Sequence, residues 1–167
     1  MIFVFLAVFF LSVSLLLFSI IKGAPFATSR PETIKRMVSL SRVKRGERVA
    51  DLGAGDGRIL IAFAKAGGKA YGYEINPLLV LLARHRIKKA RLERQAFVYW
   101  KNFWKVNYSS FDIIVLFGIS SIMPPLEKKL GSELKIGARI ISNAFAFPFW
   151  NYERKEDELY LYKKTAS

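Results

Sequence analysis

The chain has 167 residues, with 27 lysines and arginines against 13 aspartates and glutamates, a single histidine and no cysteine. These counts exclude disulfides, thiolate metal sites, iron–sulfur clusters and a cysteine nucleophile, and His85 alone cannot build a histidine metal cluster, so no metal is expected. The formal net charge of +14 points first to anionic lipid as a partner, then to nucleic acid or an acidic protein.

Residues 2–21 contain no charge, and a helix of that length covers ~30 Å of hydrocarbon. A transmembrane helix is expected here. A cleavable signal peptide has a shorter apolar region behind a basic start, whereas Met1 is followed directly by apolar residues. Lys22, Arg30, Lys35 and Arg36 come next, so the positive-inside rule predicts a single-pass protein whose remainder is cytoplasmic. The chain then divides into an anchor, residues 1–23, and one compact domain, residues 24–167.

Ser29-Arg30-Pro31-Glu32 has the pattern of a capping box and predicts a helix to about Ser41. Arg48 to Leu52 reads as a first strand, Arg58 to Ala66 as its helix closed by Gly67-Gly68, and Lys69 to Glu74 as a second strand. Asn76-Pro77 supplies an N-cap and an N1 proline for a helix from Leu78 to about Arg94. Ala96 to Trp100 is a third strand, and the almost wholly apolar Phe111 to Phe117 a fourth, as in a sheet covered on both faces. Pro124-Pro125 begin a helix to about Lys135, Ala138 to Phe145 is a fifth strand, and Glu158 to Tyr162 a last, antiparallel one. Alternation of strands and helices means an α/β fold with a parallel, Rossmann-like sheet. Little chain follows the fifth strand, so six strands are expected, with Phe147 to Tyr152 as an irregular lip.

Asp51-Leu-Gly53-Ala-Gly55-Asp56-Gly57-Arg58 between the first strand and its helix, with Glu74 closing the second strand, reads as a nucleoside-cofactor site. A dinucleotide fingerprint needs glycine three residues after Gly55, where Arg58 stands instead. Asp51 and Asp56 would also repel a pyrophosphate, whereas they attract the ammonium and sulfonium of S-adenosylmethionine. Glu74 would accept the ribose hydroxyls.

With this order of elements the chain resembles the class I, seven-strand S-adenosylmethionine-dependent methyltransferases. The resemblance makes Asp51 to Arg58 the first motif, Glu74 the ribose acid and Asn102-Phe103 the pair that holds adenine. A narrower likeness runs from Pro25-Phe26 through Gly72-Tyr-Glu74-Ile-Asn76-Pro77, Trp104-Lys-Val-Asn107 and Met123-Pro124 to Phe147-Pro148-Phe149-Trp150. On these segments the chain is similar to small archaeal protein-lysine methyltransferases and to membrane-anchored mitochondrial relatives that modify the c-subunit of ATP synthase and the adenine nucleotide translocase. The resemblance implies N-methylation of a protein lysine. Relatives carry a Pro-Thr-Pro or Pro-Ser-type loop where this chain has Ala27-Thr28-Ser29-Arg30-Pro31, and Ser29 is the expected hydroxyl for the cofactor carboxylate.

Methyl transfer asks the protein to align a neutral amine with the reacting bond, and a desolvated aromatic pocket favours the neutral amine. Phe117, Phe145, Phe147 and Trp150 are the expected pocket aromatics, with Asn143 to orient the amine. The expected substrate is a lysine at the cytoplasmic edge of a membrane protein, with residues 2–21 and their basic flank in contact with lipid. Two alternatives stand beside this reading. An RNA or other nucleic-acid methyltransferase would use the basic residues Arg84, Arg86, Lys88, Lys89, Arg91 and Arg94 on phosphates, but Phe117-Gly118-Ile119-Ser120 lacks the Pro-Pro-aromatic motif of base-amine methyltransferases. A non-catalytic membrane-anchored adaptor would bind the cofactor without turnover.

Overall fold

A computed structural model of the protein describes residues 29–166 together with Leu6, Phe9 and Phe10. The expected transmembrane segment, residues 2–21, therefore lies almost entirely outside the described residues. Among the described residues no helix is long and apolar enough to cross a membrane.

The elements in chain order are α1 (Pro31–Ser41), β1 (Arg48–Leu52), α2 (Arg58–Lys65), β2 (Lys69–Glu74), α3 (Pro77–Lys89), β3 (Ala96–Trp100), β4 (Ile113–Phe117), α4 (Met123–Glu133), β5 (Arg139–Asn143), β6 (Arg154–Glu156) and β7 (Leu159–Lys163). One seven-stranded sheet has the order β3-β2-β1-β4-β5-β7-β6. The first five strands are parallel, and β7 runs antiparallel to β5 and β6.

Each central strand feeds two cores because successive side chains point to opposite faces. Val49, Ile113 and Ile141 pack with Met37, Phe63 and Ile87 of α1, α2 and α3. Ala50, Ile114 and Ile140 pack on the other face against Leu126 and Leu130 of α4, with Phe103, Tyr108 and Phe111 from the β3–β4 connection.

The sheet has seven strands where six are expected. A two-residue turn, Asp157-Glu158, folds β6 onto β7, and residues 144–153 cross from β5 without a helix, so the missing strand needs little chain. The capping box does not form either. The N-cap is Arg30 in extended conformation, with no side-chain cap, and Pro31 opens α1. Helix α3 ends at Lys89, short of the expected Arg94, because Arg91 is left-handed (φ 57°) and closes a Schellman motif in which Leu92 N–H donates to Ile87 C=O and Arg91 N–H to Lys88 C=O. The fourth strand likewise starts late, at Ile113, since the Asp112 carboxylate turns to accept the Arg48 N–H at 2.7 Å. Left-handed Ala144 (φ 69°) ends β5 at Asn143.

Candidate functional site

Strand β1 pairs with β2 on one side and β4 on the other, so chain order reverses between β1 and β4. In such sheets a crevice opens past the carboxyl ends of the strands at this point. The glycine turn after β1 and Glu74 at the end of β2 form one half of it. Phe117 ends β4 and Asn143 ends β5, directly opposite each other in register, in the other half.

In the first half, Glu74 is buried, and its carboxylate accepts the Gly55 N–H at 3.0 Å and the Asn76 N–H at 2.8 Å. An ionised carboxylate has about four acceptor positions, so two remain for a pair of hydroxyls. Gly53 is exposed at φ +86°, and no other atom lies within 4 Å of where a Cβ would stand. Asp51 is 2 % exposed, and its Oδ2 has no hydrogen-bond partner. Burial, reinforced by the charges of Glu74 and Asp56, pushes its pKa up to about 8. A buried carboxyl oxygen with no partner calls for a donor or a cation. A phosphate would meet two acids here.

The neighbouring residues of the turn are engaged elsewhere. The Arg58 guanidinium donates to Asp56 from Nε at 3.0 and 3.1 Å and from Nη2 at 2.6 Å, and Arg86 of α3 pairs with the same carboxylate. Burial opposes the Asp56 charge, but the Arg58 hydrogen bonds and the two arginine charges outweigh it and hold the carboxyl below its ordinary value. Gly57 (φ +80°) lets α2 approach α3, since a Cβ would stand 2.9 Å from Ala83 Cβ. Asp56 and Gly57 thus join the turn to α3, and the acids free of arginine are Asp51 and Glu74. At the end of β3, Asn102 Oδ1 accepts the Trp104 N–H at 3.0 Å and caps the 3₁₀ turn Phe103–Lys105. Phe103 is buried, and its carbonyl accepts the Tyr108 hydroxyl at 2.7 Å.

In the second half, Phe117 and Phe145 meet edge to face, with ring centres 6.2 Å apart. Asn143 is 4 % exposed; its Nδ2 lies 3.5 Å from Ser29 Oγ and its Oδ1 has no partner. Both residues line a cavity of about 570 Å³ that Phe117 also walls. Its other lining includes four acids, Glu32, Glu156, Asp157 and Glu158, against two arginines, Arg30 and Arg36, in a chain of net charge +14. Arg36 pairs with Asp157, and the Ala144 N–H donates to Glu158 C=O at 2.8 Å, fixing the β6–β7 turn beside Asn143. Phe147 and Trp150 gather on Tyr162 of β7, at 5.0 and 6.0 Å, in the apolar cluster against which Phe145 also packs.

Sequence reasoning did not reach the Ser29–Asn143 contact, which spans 114 residues, or the arginines on Asp56. Nor did it place the acidic turn at this cavity, although Glu156-Asp157-Glu158 stands out in so basic a chain.

The fold and its crevice are those of a Rossmann-like methyltransferase. A solved RNA methyltransferase from Salinibacter ruber, in complex with S-adenosyl-L-homocysteine, superposes with a TM-score of 0.82 at 26% identity, over 84% of this chain and 95% of that one. Residues 51–154 match the ANTKMT methyltransferase domain, and the chain belongs to that family. It is 41% identical over 134 residues to the ATP synthase c-subunit lysine N-methyltransferase of Rattus norvegicus, across 80% of this chain and 62% of the relative. It is 33% identical over 135 residues to a protein-lysine N-methyltransferase of Saccharolobus islandicus, across 80% of this chain and 84% of that protein. The chain thus spans about three-fifths of the rat relative's length.

Proposed function

We propose that the protein is an S-adenosylmethionine-dependent protein-lysine N-methyltransferase. The observation that carries the choice of acceptor is the cavity beside Phe117, which combines an acidic lining with a buried, unpartnered Asn143 oxygen. Acids at a mouth attract an ammonium and repel a phosphate chain.

Asp51, Gly53, Gly55 and Glu74 would hold the cofactor, with Asn102 and Phe103 at its base and Ser29 toward its carboxylate. Their donor set fits, since Asp51 Oδ2 lacks a partner and Glu74 keeps acceptor positions for a ribose diol. Once bound, the cofactor supplies a methyl group on a sulfonium. The chain's own residues prepare the amine. Glu32 and Glu158 draw in the ammonium, which gives up its proton to solvent before transfer. The low polarity beside Phe117 and Phe145 disfavours the charged form, and Asn143 Oδ1 accepts an N–H so that the nitrogen lone pair points to the methyl donor.

The membrane enters this proposal through residues 2–21. A single span with the catalytic domain on the cytoplasmic side raises the effective concentration of membrane-protein lysines. The Salinibacter ruber likeness favours RNA as a second reading, against which the four acids of the cavity weigh. Transfer of labelled methyl from S-adenosylmethionine by the full-length protein to membrane protein, soluble protein and RNA fractions separates these readings. Acid-stable label on lysines of membrane proteins supports the proposal. Label confined to RNA refutes the lysine reading, and cofactor uptake without transfer to any fraction would leave a binding adaptor.

A further inference from the structure

Helix α3 is apolar on two faces. Val80, Ala83 and Ile87 are buried against the sheet, as expected for a covering helix. Leu78, Leu81 and Leu82 stand at i, i+3, i+4 on the outer side, where they are 55, 60 and 39 % exposed. An ordinary surface helix is polar there.

One exposed apolar group of the sheet stands beside the stripe. Strand β3 ends the strand order, and its Trp100, on the same face as Val98 and so on the α3 side, is 69 % exposed, whereas Tyr99 points to the opposite face and stacks on Tyr73. The indole of Trp100 donates to Ile75 C=O at 2.9 Å, which fixes it beside the start of α3, and Arg84 reaches from α3 to Val98 C=O at 3.4 Å. Four of the eight large exposed apolar residues described beyond position 28 thus lie on α3 and on the α3 side of its adjacent edge strand. Scattered single apolar residues need no explanation, whereas a group of this kind on one side of the molecule marks an interaction surface.

The occupant is chosen by the charges around the patch. Lys88 and Lys89 follow the leucines along α3, and Arg91, Arg94 and Lys101 flank its end and the end of β3. All are exposed. Leucine and tryptophan beside lysine and arginine are the composition of a helix that lies in a bilayer interface, with apolar groups among the acyl chains and cations at the headgroups. We infer that the α3–β3 edge is a membrane-docking surface for an anionic leaflet, separate from any anchor in residues 2–21. Leu78 and Trp100 sit at the carboxyl-end rim of the sheet, so docking there turns the crevice toward the headgroups. The surface does not depend on which group accepts the methyl.

Tryptophan emission reads this surface without interference from the anchor, since residues 2–21 contain no tryptophan. The full-length protein is reconstituted into vesicles of brominated phosphatidylcholine, with and without phosphatidylserine. The expected result is quenching of Trp100 that is greater with phosphatidylserine and is lost in Trp100→Phe. Leu81→Ser combined with Leu82→Ser should abolish the quenching while calorimetric uptake of S-adenosylmethionine stays unchanged, since both leucines are exposed. Equal quenching in Trp100→Phe and the parent protein overturns the inference. So does quenching that survives the double serine variant while a dimer seen by sedimentation dissociates, which would make a second copy the occupant. Protection of Trp100 by RNA but not by lipid overturns it as well. Failure of methyl transfer to lysine leaves this readout untouched.

Discussion

Replacing Asp51 with asparagine should stabilise the ligand-free protein and weaken cofactor binding. The folded protein holds Asp51 protonated up to about pH 8 because burial, with Glu74 and Asp56 nearby, opposes its charge, whereas an unfolded chain ionises it near the ordinary value of 3.8. A carboxyl whose folded-state pKa lies above its unfolded value gives the native state extra protons, so stability falls as pH rises between those two values and levels off above the higher one. At ~1.4 kcal/mol per pH unit, the cost accumulated by pH 7 is on the order of 4 kcal/mol. Asparagine carries no such cost. Asp51→Asn should therefore match the parent protein near pH 4 and exceed it by about 2–4 kcal/mol at neutral pH. Denaturant melts in mild detergent, followed by circular dichroism from about pH 4 to pH 8, would measure the gap. Calorimetry in parallel should show weaker S-adenosylmethionine binding by the variant, together with proton release when the parent protein binds at neutral pH. A gap between the two proteins that does not change with pH would refute the reasoning, because Asp51 would then not be the group that titrates.

Gly57→Ala should destabilise by about 2–4 kcal/mol, from the left-handed backbone and the 2.9 Å approach to Ala83. Gly131→Ala, in α4 with nothing within 4 Å, should stabilise by about 0.5–1 kcal/mol, and thermal melts of the two compared directly test whether contact or residue type decides. Tyr108→Phe removes the hydroxyl on the buried Phe103 carbonyl and should cost about 1–2 kcal/mol, with a matching loss in cofactor affinity if Phe103 is part of that site. Glu32→Gln combined with Glu158→Gln should raise KM for a lysine peptide several-fold with little change in kcat, and added salt should shrink the difference, as initial rates across ionic strengths would show.

Most of the sheet was legible because its signals are local. Arg48 to Leu52, Lys69 to Glu74 and Ala96 to Trp100 fall where their patterns place them, and the glycine turn lies between the expected elements. Errors came where a distant partner decides. The Ser29 side chain reads as a cap from its four-residue context, yet it lies against Asn143 from the opposite end of the domain. Gly57 and Asp56 have the residue types of a ligand turn, and spacing alone does not reveal that α3 also packs against one and pairs with the other. The unexpected strand, β6, is only three residues long, too short for any periodicity to reveal. Among the aromatics, spacing could not distinguish Phe145, which meets Phe117, from Phe147 and Trp150, which follow Tyr162.

The acidic cavity takes one wall from the first turn of α1 and the opposite wall from the β6–β7 hairpin, bridged by Arg36 and Asp157 across 121 positions of chain. A ribosome delivers these walls at the beginning and near the end of the domain's synthesis, and domains fold as units once their parts are present. The glycine turn and Glu74 emerge much earlier than the hairpin. Folding of the domain as a unit therefore makes the earlier segments wait for the hairpin, and the cavity acquires its shape only when both walls have been synthesised.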